Sequence, residues 1–188
     1  MHRKQFEQRT AAYAYLRGIM AIPGGLVAVV FALGNWQVGP FANDLVVIAA
    51  VLLAAGAWYA IERGYRRRYG RMTPTAGAEL RTFLAGLLVV GLIIGGSIAL
   101  HALDVPLNPI MVTFPVAFIA LYAIGGALRA HHLVIWGAVL AAGLLPVWEA
   151  PPDPGNVALV VCGCAAIASG LLDHLAFTRL FAPPALDA

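Results

Sequence analysis

Titratable side chains of complementary types recur at the ends of the apolar stretches in this chain. Asp173 and His174 are adjacent in the sequence. His131 and His132 form a second pair, and Glu62 follows another apolar stretch. Carboxylates and imidazoles at one level could relay protons or bind a metal ion. Because residues of these types are common where apolar stretches end, solvation or ion pairing there is the interpretation that we favour, and we predict no metal and no cofactor.

Arg17 lies about one helical turn inside an apolar stretch. An ionisable residue within a membrane span marks a candidate functional site. Its long side chain could instead extend to lipid phosphates, or it could pair with a carboxylate. The candidate functional ionisable residues are therefore Arg17, Glu62, Asp173 and His174.

The composition defines the surroundings of these side chains. Of the 188 residues, 61% are hydrophobic and 11% are charged, and the mean hydropathy is +0.83. A soluble domain has about a quarter of its residues charged and about half apolar. Most of the surface of this chain must therefore face lipid. This excludes a disordered tail, a disulfide-stabilised secreted protein and a water-soluble enzyme.

Six apolar stretches come close to the roughly 20 helical residues that cross a bilayer. They cover residues 12–33, 45–61, 83–103, 110–128, 133–148 and 157–175, of which the fifth is the shortest. Open strands are excluded because they would leave backbone groups unpaired in hydrocarbon. Short connectors make consecutive helices antiparallel neighbours. The sequence therefore predicts an all-α polytopic integral membrane protein, a single domain over residues 1–188 with six transmembrane helices arranged as three antiparallel hairpins.

The twelve lysines and arginines all fall on one side of this arrangement. They lie before or early in the first span, in the second and fourth connectors, and after the sixth span. The connectors on the other side carry acidic residues instead, namely Asp44, Asp104, Glu149 and Asp153. The positive-inside rule places the basic side in the cytoplasm. We predict a multi-pass protein of the bacterial inner membrane with both termini in the cytoplasm.

Residues 62–82 form an Arg-rich cytoplasmic connector. Its first half is expected to continue the second helix beyond the membrane, with Gly70 able to end that helix. A stop-transfer anchor that fixes the topology is sufficient to explain its arginines. Contact with anionic lipid headgroups or with a membrane-protein partner is the functional alternative, and we predict no nucleic-acid binding. The arginines expected to contact headgroups are Arg63, Arg66, Arg67, Arg68 and Arg71.

Small residues share one face of the third span. Gly91, Gly95 and Ala99 follow one another at intervals of four, a pattern that lets two helix backbones approach closely. We expect this face to pack against a neighbouring helix of the same bundle. Formation of a homodimer is the alternative.

Three functions remain open for a bundle of this kind. The leading hypothesis is a non-enzymatic accessory, sensor or regulatory subunit, because the sequence contains no catalytic motif that we recognise. The second is a small transporter or channel, in which the proline-containing first and fourth spans surround a central cavity. The third is a membrane enzyme that acts on lipid at the cytoplasmic face, with Glu62, Asp173 and His174 as acid and base. A filled core favours the first hypothesis, and a cavity at Arg17 favours the second.

Overall fold

The structure is a computed structural model that describes residues 18–69, 76–145 and 153–180. This part of the chain is helical and contains no strand, which confirms the predicted all-α class within those residues. Two 3-10 turns, Gly18–Met20 and Gly39–Ala42, precede the first and second helices. The six α-helices are α1 (Ala21–Asn35), α2 (Asp44–Tyr69), α3 (Ala76–Ala102), α4 (Pro109–Ile124), α5 (Ala130–Gly143) and α6 (Pro154–Leu180).

Four of these helices are long and apolar enough to cross a membrane, which indicates a membrane protein. The crossing segments are Gly18–Asn35, Asp44–Arg67, Leu80–Ala102 and Pro154–Arg179. α4 and α5 are also apolar but have only 16 and 14 residues. At the usual rise per residue they are about 24 and 21 Å long, against about 30 Å for the hydrocarbon layer. The expectation of a helix long and apolar enough to cross a membrane is therefore confirmed for the second, third and sixth stretches and for the described part of the first.

The predicted helix ends are set by side-chain caps and by glycine. Oδ1 of Asn108 accepts a hydrogen bond from the backbone N–H of Met111 at 3.1 Å, and Pro109 is the first helical residue of α4. The turn from α4 into α5 contains Gly126 at a φ of +64°, a conformation that favours glycine. This short turn brings the end of α4 and the beginning of α5 to the same end of the bundle.

α6 lies at the centre of the bundle. It packs most extensively against α1 and also contacts α5 and α4. α2 packs against α1, and α3 packs against α4, so that α2 and α3 lie at the edges. The most extensive contact therefore joins the first and last helices of the chain.

Two pairs of glycines seven residues apart allow the close contact between α6 and the segment formed by α1 and the turn before it. A Cβ atom on Gly25 would collide with the carbonyl oxygen of Gly163, and a Cβ atom on Gly18 would collide with that of Gly170. Seven residues are close to two helical turns, so both glycines of a pair lie on the same helix face. The two backbones are therefore close enough to exclude any larger residue at these positions.

The small-residue face of α3 is not packed in this way. A Cβ atom on Gly91 or Gly95 would meet no described residue within 4 Å, and Ala99 is exposed. The expected packing of this face within the bundle is therefore not observed in the described part of the chain. The reason is helix register, because Gly96 instead faces α4, where its Cβ position lies against Thr113.

Candidate functional site

Polar side chains from three helices meet at one end of the bundle. Tyr122 lies near the end of α4, His131 and His132 begin α5, and Asp173 lies in α6. We call these four residues the Asp173 cluster. The short turn between α4 and α5 folds the tyrosine and both histidines over this part of α6.

Asp173 is the centre of the cluster and has no exposed surface. Its Oδ1 atom lies 2.8 Å from Nε2 of His132 and 3.0 Å from Nε2 of His131. Its Oδ2 atom accepts a hydrogen bond from the hydroxyl of Tyr122 at 2.8 Å. An ionised carboxylate can only accept, so its three partners act as donors. The buried charge is therefore stabilised by three hydrogen bonds of the stronger, charge-assisted kind.

The position of the proton on His132 follows from its other contact. The backbone N–H of Arg129 donates to Nδ1 of His132 at 3.1 Å, which caps the beginning of α5. Because a backbone N–H can only donate, Nδ1 carries no proton, and the proton of the neutral ring is on Nε2, directed at Asp173. The ring also stacks on Tyr122, with centroids 3.6 Å apart and planes 16° from parallel. Three neighbours thus fix the orientation of His132.

His131 is the most exposed residue of the cluster, with 22% of its side chain accessible. Its ring lies beside that of His132, with centroids 4.1 Å apart. His132 is fully buried, and the exposed fraction of Tyr122 is 6%. The cluster is therefore open to the surface of the molecule at His131.

Close packing encloses the other sides of Asp173. A Cβ atom on Gly18 would collide with the Cβ atom of Asp173, so the contact between Gly18 and Gly170 also packs against the side chain of Asp173. Phe177, fully buried one turn further along α6, packs with Tyr65 and Tyr122. The burial of the carboxylate therefore depends on residues far apart in the sequence.

A second polar contact lies beside the cluster, between α2 and α6. The hydroxyl of Tyr65 lies 2.6 Å from Nδ1 of His174, and the two rings are nearly perpendicular. Tyr65 has an exposed fraction of only 5%. This contact attaches the end of α2 to the same region of α6.

One helical turn deeper, two buried polar atoms have no hydrogen-bond partner among the described residues: the hydroxyl of Ser169 and the indole N–H of Trp136. Ser169 precedes Asp173 by four residues, and Trp136 follows His132 by four. The indole stacks on Phe118, with centroids 4.6 Å apart. Beyond this layer the core is formed by small and apolar side chains, including Met111, Ala158, Cys162 and Ala165.

The structure brings together some of the predicted site residues and separates others. Asp173 and the two histidines meet, as the metal and relay hypotheses require, and His174 lies next to them. Asp173 is fully buried, and its Oδ1 atom lies 3.0 and 2.8 Å from Nε2 of His131 and His132. Of the two alternatives that we favoured from the sequence, solvation does not apply to this residue, and pairing with neighbouring side chains does. Glu62 accepts a hydrogen bond from Arg66, one turn along the same helix, at 2.5 Å. Arg17 lies outside the described residues.

Tyr122 is the residue that the sequence interpretation missed. It has no charge at neutral pH and lies in an apolar helix, where aromatic residues are ordinary. One feature of the sequence could have indicated its role: Tyr122 lies near the end of α4, directly before the turn that leads to the two histidines. A buried tyrosine hydroxyl normally has a hydrogen-bond partner, and the nearest candidates were those polar residues.

Four of the five arginines expected to contact headgroups belong to the end of α2 that is beside the cluster. Arg63, Arg66 and Arg67 are exposed there. The side chain of Arg68 and all of Arg71 lie outside the described residues. Residues 62–69 belong to α2 and residues 76–82 to α3, so the Arg-rich connector is helical in its described parts.

Comparison with known proteins finds no matching family model, no matching curated protein and no matching solved structure. Within the described residues the structure is all-helical, with four helices long and apolar enough to cross a membrane.

Proposed function

We propose that the protein is a small non-enzymatic regulatory or sensory subunit of the membrane, and that the Asp173 cluster is its responsive element. The observation that carries this proposal is a carboxylate without exposed surface that holds side chains from two other helices. Ionisable residues inside membrane proteins are rare and usually functional. Because Asp173 joins α4, α5 and α6, a change in its charge or ligation changes how three helices are held together.

The direction of the polar groups supports regulation over catalysis. The hydroxyl of Tyr122 and Nε2 of both histidines are directed at Asp173. A catalytic acid or base needs a reactive atom within reach of a substrate. In the cluster these atoms are hydrogen-bonded to one another. Such hydrogen bonds stabilise one arrangement of the helices.

The core beneath the cluster supports regulation over transport. Phe118 and Trp136 stack there, and Met111 and Cys162 fill the next layer. These side chains separate the cluster from the opposite end of the bundle. A ligand or proton can therefore reach the cluster from one side of the membrane, as a sensor requires.

The proposal includes a membrane topology of six crossings, arranged as three antiparallel hairpins. Asn35, at the end of α1, bonds Asn156 in the first turn of α6, at the end of the bundle opposite the cluster. This contact supports opposite directions for these two neighbouring helices. The two short helices α4 and α5 can cross where the bilayer thins locally.

The basic residues support the orientation. Arg63, Arg66 and Arg67 lie at the cluster end, whereas Asp44, Asp104 and Asp153 lie at the other. By the positive-inside rule, the cluster then faces the cytoplasm of a bacterium, with both termini on that side of its inner membrane. The exposed arginines contact anionic headgroups and a membrane-protein partner, which can be a second copy of the chain.

Thiol labelling in intact cells tests the orientation. Both native cysteines are replaced by alanine, and single cysteines are introduced at Gln37, Asp104 or Leu128. We expect an impermeant maleimide to label positions 37 and 104 in intact cells, and position 128 only after the membrane is opened. Labelling of position 128 in intact cells would contradict the proposed orientation.

Photo-crosslinking tests the regulatory function. A photoreactive residue replaces Arg67, and a control replaces Leu52, an exposed apolar residue in the middle of α2. We expect a protein adduct from position 67 whose yield changes in Asp173→Asn, and lipid adducts alone from position 52. Lipid adducts alone from position 67, or a protein adduct unaffected by Asp173→Asn, would rule out the regulatory proposal.

A further inference from the structure

We propose that the Asp173 cluster binds one divalent transition-metal ion of the zinc class. The ligands are Nε2 of His131, Nε2 of His132 and a carboxylate oxygen of Asp173. This inference rests on the proposed function, because it names the ligand that binds to the responsive element. It replaces the expectation from the sequence that the chain binds no metal.

Two of the three distances between the donor atoms are close to those of a metal centre. One ligand atom from each of the three residues lies within 4.8 Å of the others. Oδ1 of Asp173 is 2.8 and 3.0 Å from the two Nε2 atoms. Around a tetrahedral zinc ion with bonds of about 2.0–2.1 Å, neighbouring ligand atoms are about 3.3 Å apart. These two contacts therefore need to widen by only a few tenths of an ångström.

The donor types and their supports also fit such an ion. Two imidazoles and one carboxylate are a common set for zinc and for iron(II), and they leave a further coordination position for water or another ligand. Tyr122 donates to Oδ2 of Asp173, which leaves Oδ1 directed at the histidines. Hydrogen bonds of this kind orient metal-ligating carboxylates. The partly exposed His131 gives the ion a path from the aqueous side.

Ligation requires the Nε2 protons that both histidines direct at Asp173 to move. On His132 this proton is on Nε2 because Nδ1 accepts the N–H of Arg129. When the Nε2 lone pairs bind the metal, each ring carries its proton on Nδ1, so neither ring gains or loses a proton. On His132, Nδ1–H and the N–H of Arg129 are then both donors, and the hydrogen bond between them breaks.

The energies favour the metal over this hydrogen bond. A helix cap contributes roughly one tenth of the free energy of a structural zinc site. The ion therefore binds although the hydrogen bond that caps α5 is broken. Its binding releases the backbone of Arg129 at the beginning of α5. This release is the structural signal that metal binding sends to the cytoplasmic surface.

Cobalt titration of the full-length protein in nanodiscs, after chelation of bound metals, tests the site directly. Co²⁺ reports its coordination by visible absorption, and Zn²⁺ is then added as a competitor. We expect one ion per chain, and affinities at least about tenfold weaker in His131→Ala and Asp173→Asn. The matched control is His101→Ala, which removes an exposed histidine at the far end of α3 and is expected to bind normally. Binding that is absent, or that both cluster variants retain, would overturn the proposal.

Two further measurements separate metal binding from folding. Zn²⁺ is expected to raise the Tm of the wild-type protein and of His101→Ala but not that of His131→Ala, in which only the partly exposed ligand is lost. Hydrogen exchange at the amide of Arg129 is expected to become faster when Zn²⁺ binds. Equal Tm shifts in the two variants, or slower exchange at Arg129, would contradict the proposed ligation.

The crosslinking result distinguishes failure of this inference from failure of the regulatory proposal. If no metal binds while the adduct at position 67 still depends on Asp173, the regulatory proposal stands and the metal site is rejected. If metal binds as expected and that adduct does not depend on Asp173, the metal site stands and the regulatory proposal is rejected.

Discussion

The two ends of the bundle are both held by polar side chains, but by chemically different ones. Opposite the Asp173 cluster lies what we call the amide end, formed by Asn35, Asn108, Asp153 and Asn156. There Asn35 donates to Oδ1 of Asn156 at 2.7 Å, and Asn156 donates to Oδ2 of Asp153 at 2.7 Å. The side chain of Asn108 donates to the carbonyl of Pro154 at 3.0 Å. These bonds connect helix ends through groups that are mostly uncharged.

This comparison separates the polar residues that satisfy helix ends from those that the fold does not require. At the amide end, side-chain amides bond backbone and side-chain groups at helix ends, where unpaired backbone groups need partners. The Asp173 cluster instead buries a charge seven residues before the end of α6. Bundles of this type can be held together by small residues and neutral hydrogen bonds alone. A buried charge with three donors is therefore not required to hold a bundle of this type together.

The largest expected effect is that of Asp173→Asn. The amide keeps one acceptor but directs an N–H₂ group at a donor, and the charge-assisted bonds are lost. Three such bonds in a membrane protein give an expected loss of about 3 kcal/mol in the free energy of unfolding. Equilibrium unfolding in mixed micelles measures this loss.

Asp153→Asn at the amide end is the matched control for that variant. The oxygen of the new amide can still accept from Asn156, and the site is partly open to solvent. We expect a change of at most about 0.5 kcal/mol. Equal losses in the two variants would remove the distinction between the ends.

The next effect in size concerns the glycine contact that encloses Asp173. Gly170→Ala places a methyl group against the backbone carbonyl of Gly18, which cannot yield as a side chain would. We expect a loss of about 2 kcal/mol in the free energy of unfolding. Gly95→Ala, on the open face of α3, is the control and is expected to be neutral or stabilising by up to about 1 kcal/mol. A neutral Gly170→Ala would show that this contact does not enclose the carboxylate.

The amide end could be predicted from the sequence far better than the cluster. Helix caps depend on residues a few positions apart, so Asn108 could be recognised beside α4. Asn156, which the sequence also places near a helix start, lies in the first turn of α6 and bonds Asn35 and Asp153 instead of capping the helix. The helical fold followed from the apolar stretches. In contrast, the Asp173 cluster depends on the turn at Gly126 and on the contact between the first and last helices, which unite residues from distant parts of the chain.

The glycine contact shows what sequence interpretation can miss even when a signal exists. The spacing of four in Gly91 and Gly95 matched a known association pattern, but this face of α3 is open. The spacing of seven, in Gly18–Gly25 and again in Gly163–Gly170, marks the closest helix contact. This contact can be recognised only when the two distant segments are compared, because a spacing of seven between two glycines is not a packing signal in either segment alone.

A smaller effect is expected from Asn156→Ala at the amide end. The substitution removes the bonds to Asn35 and Asp153, both of which are partly buried. Hydrogen bonds between membrane helices contribute about 0.6 kcal/mol each on average, so we expect a loss of about 1 kcal/mol. Metal affinity, measured with cobalt as above, is expected to be unchanged. A change in metal affinity would mean that the two ends are coupled and are not separate structures.

The smallest expected effect, that of Ser169→Ala, examines how far the polar region extends below the cluster. The buried hydroxyl of Ser169 has no partner among the described residues. Removal of an unpartnered buried polar group is neutral or stabilising, here by up to about 0.5 kcal/mol, whereas removal of a bonded hydroxyl costs about 1 kcal/mol. Unfolding of Ser169→Ala with and without Zn²⁺ separates these cases. A loss that occurs only with Zn²⁺ would show that the metal-bound state gives this hydroxyl a partner, and would extend the responsive element one turn deeper into α6.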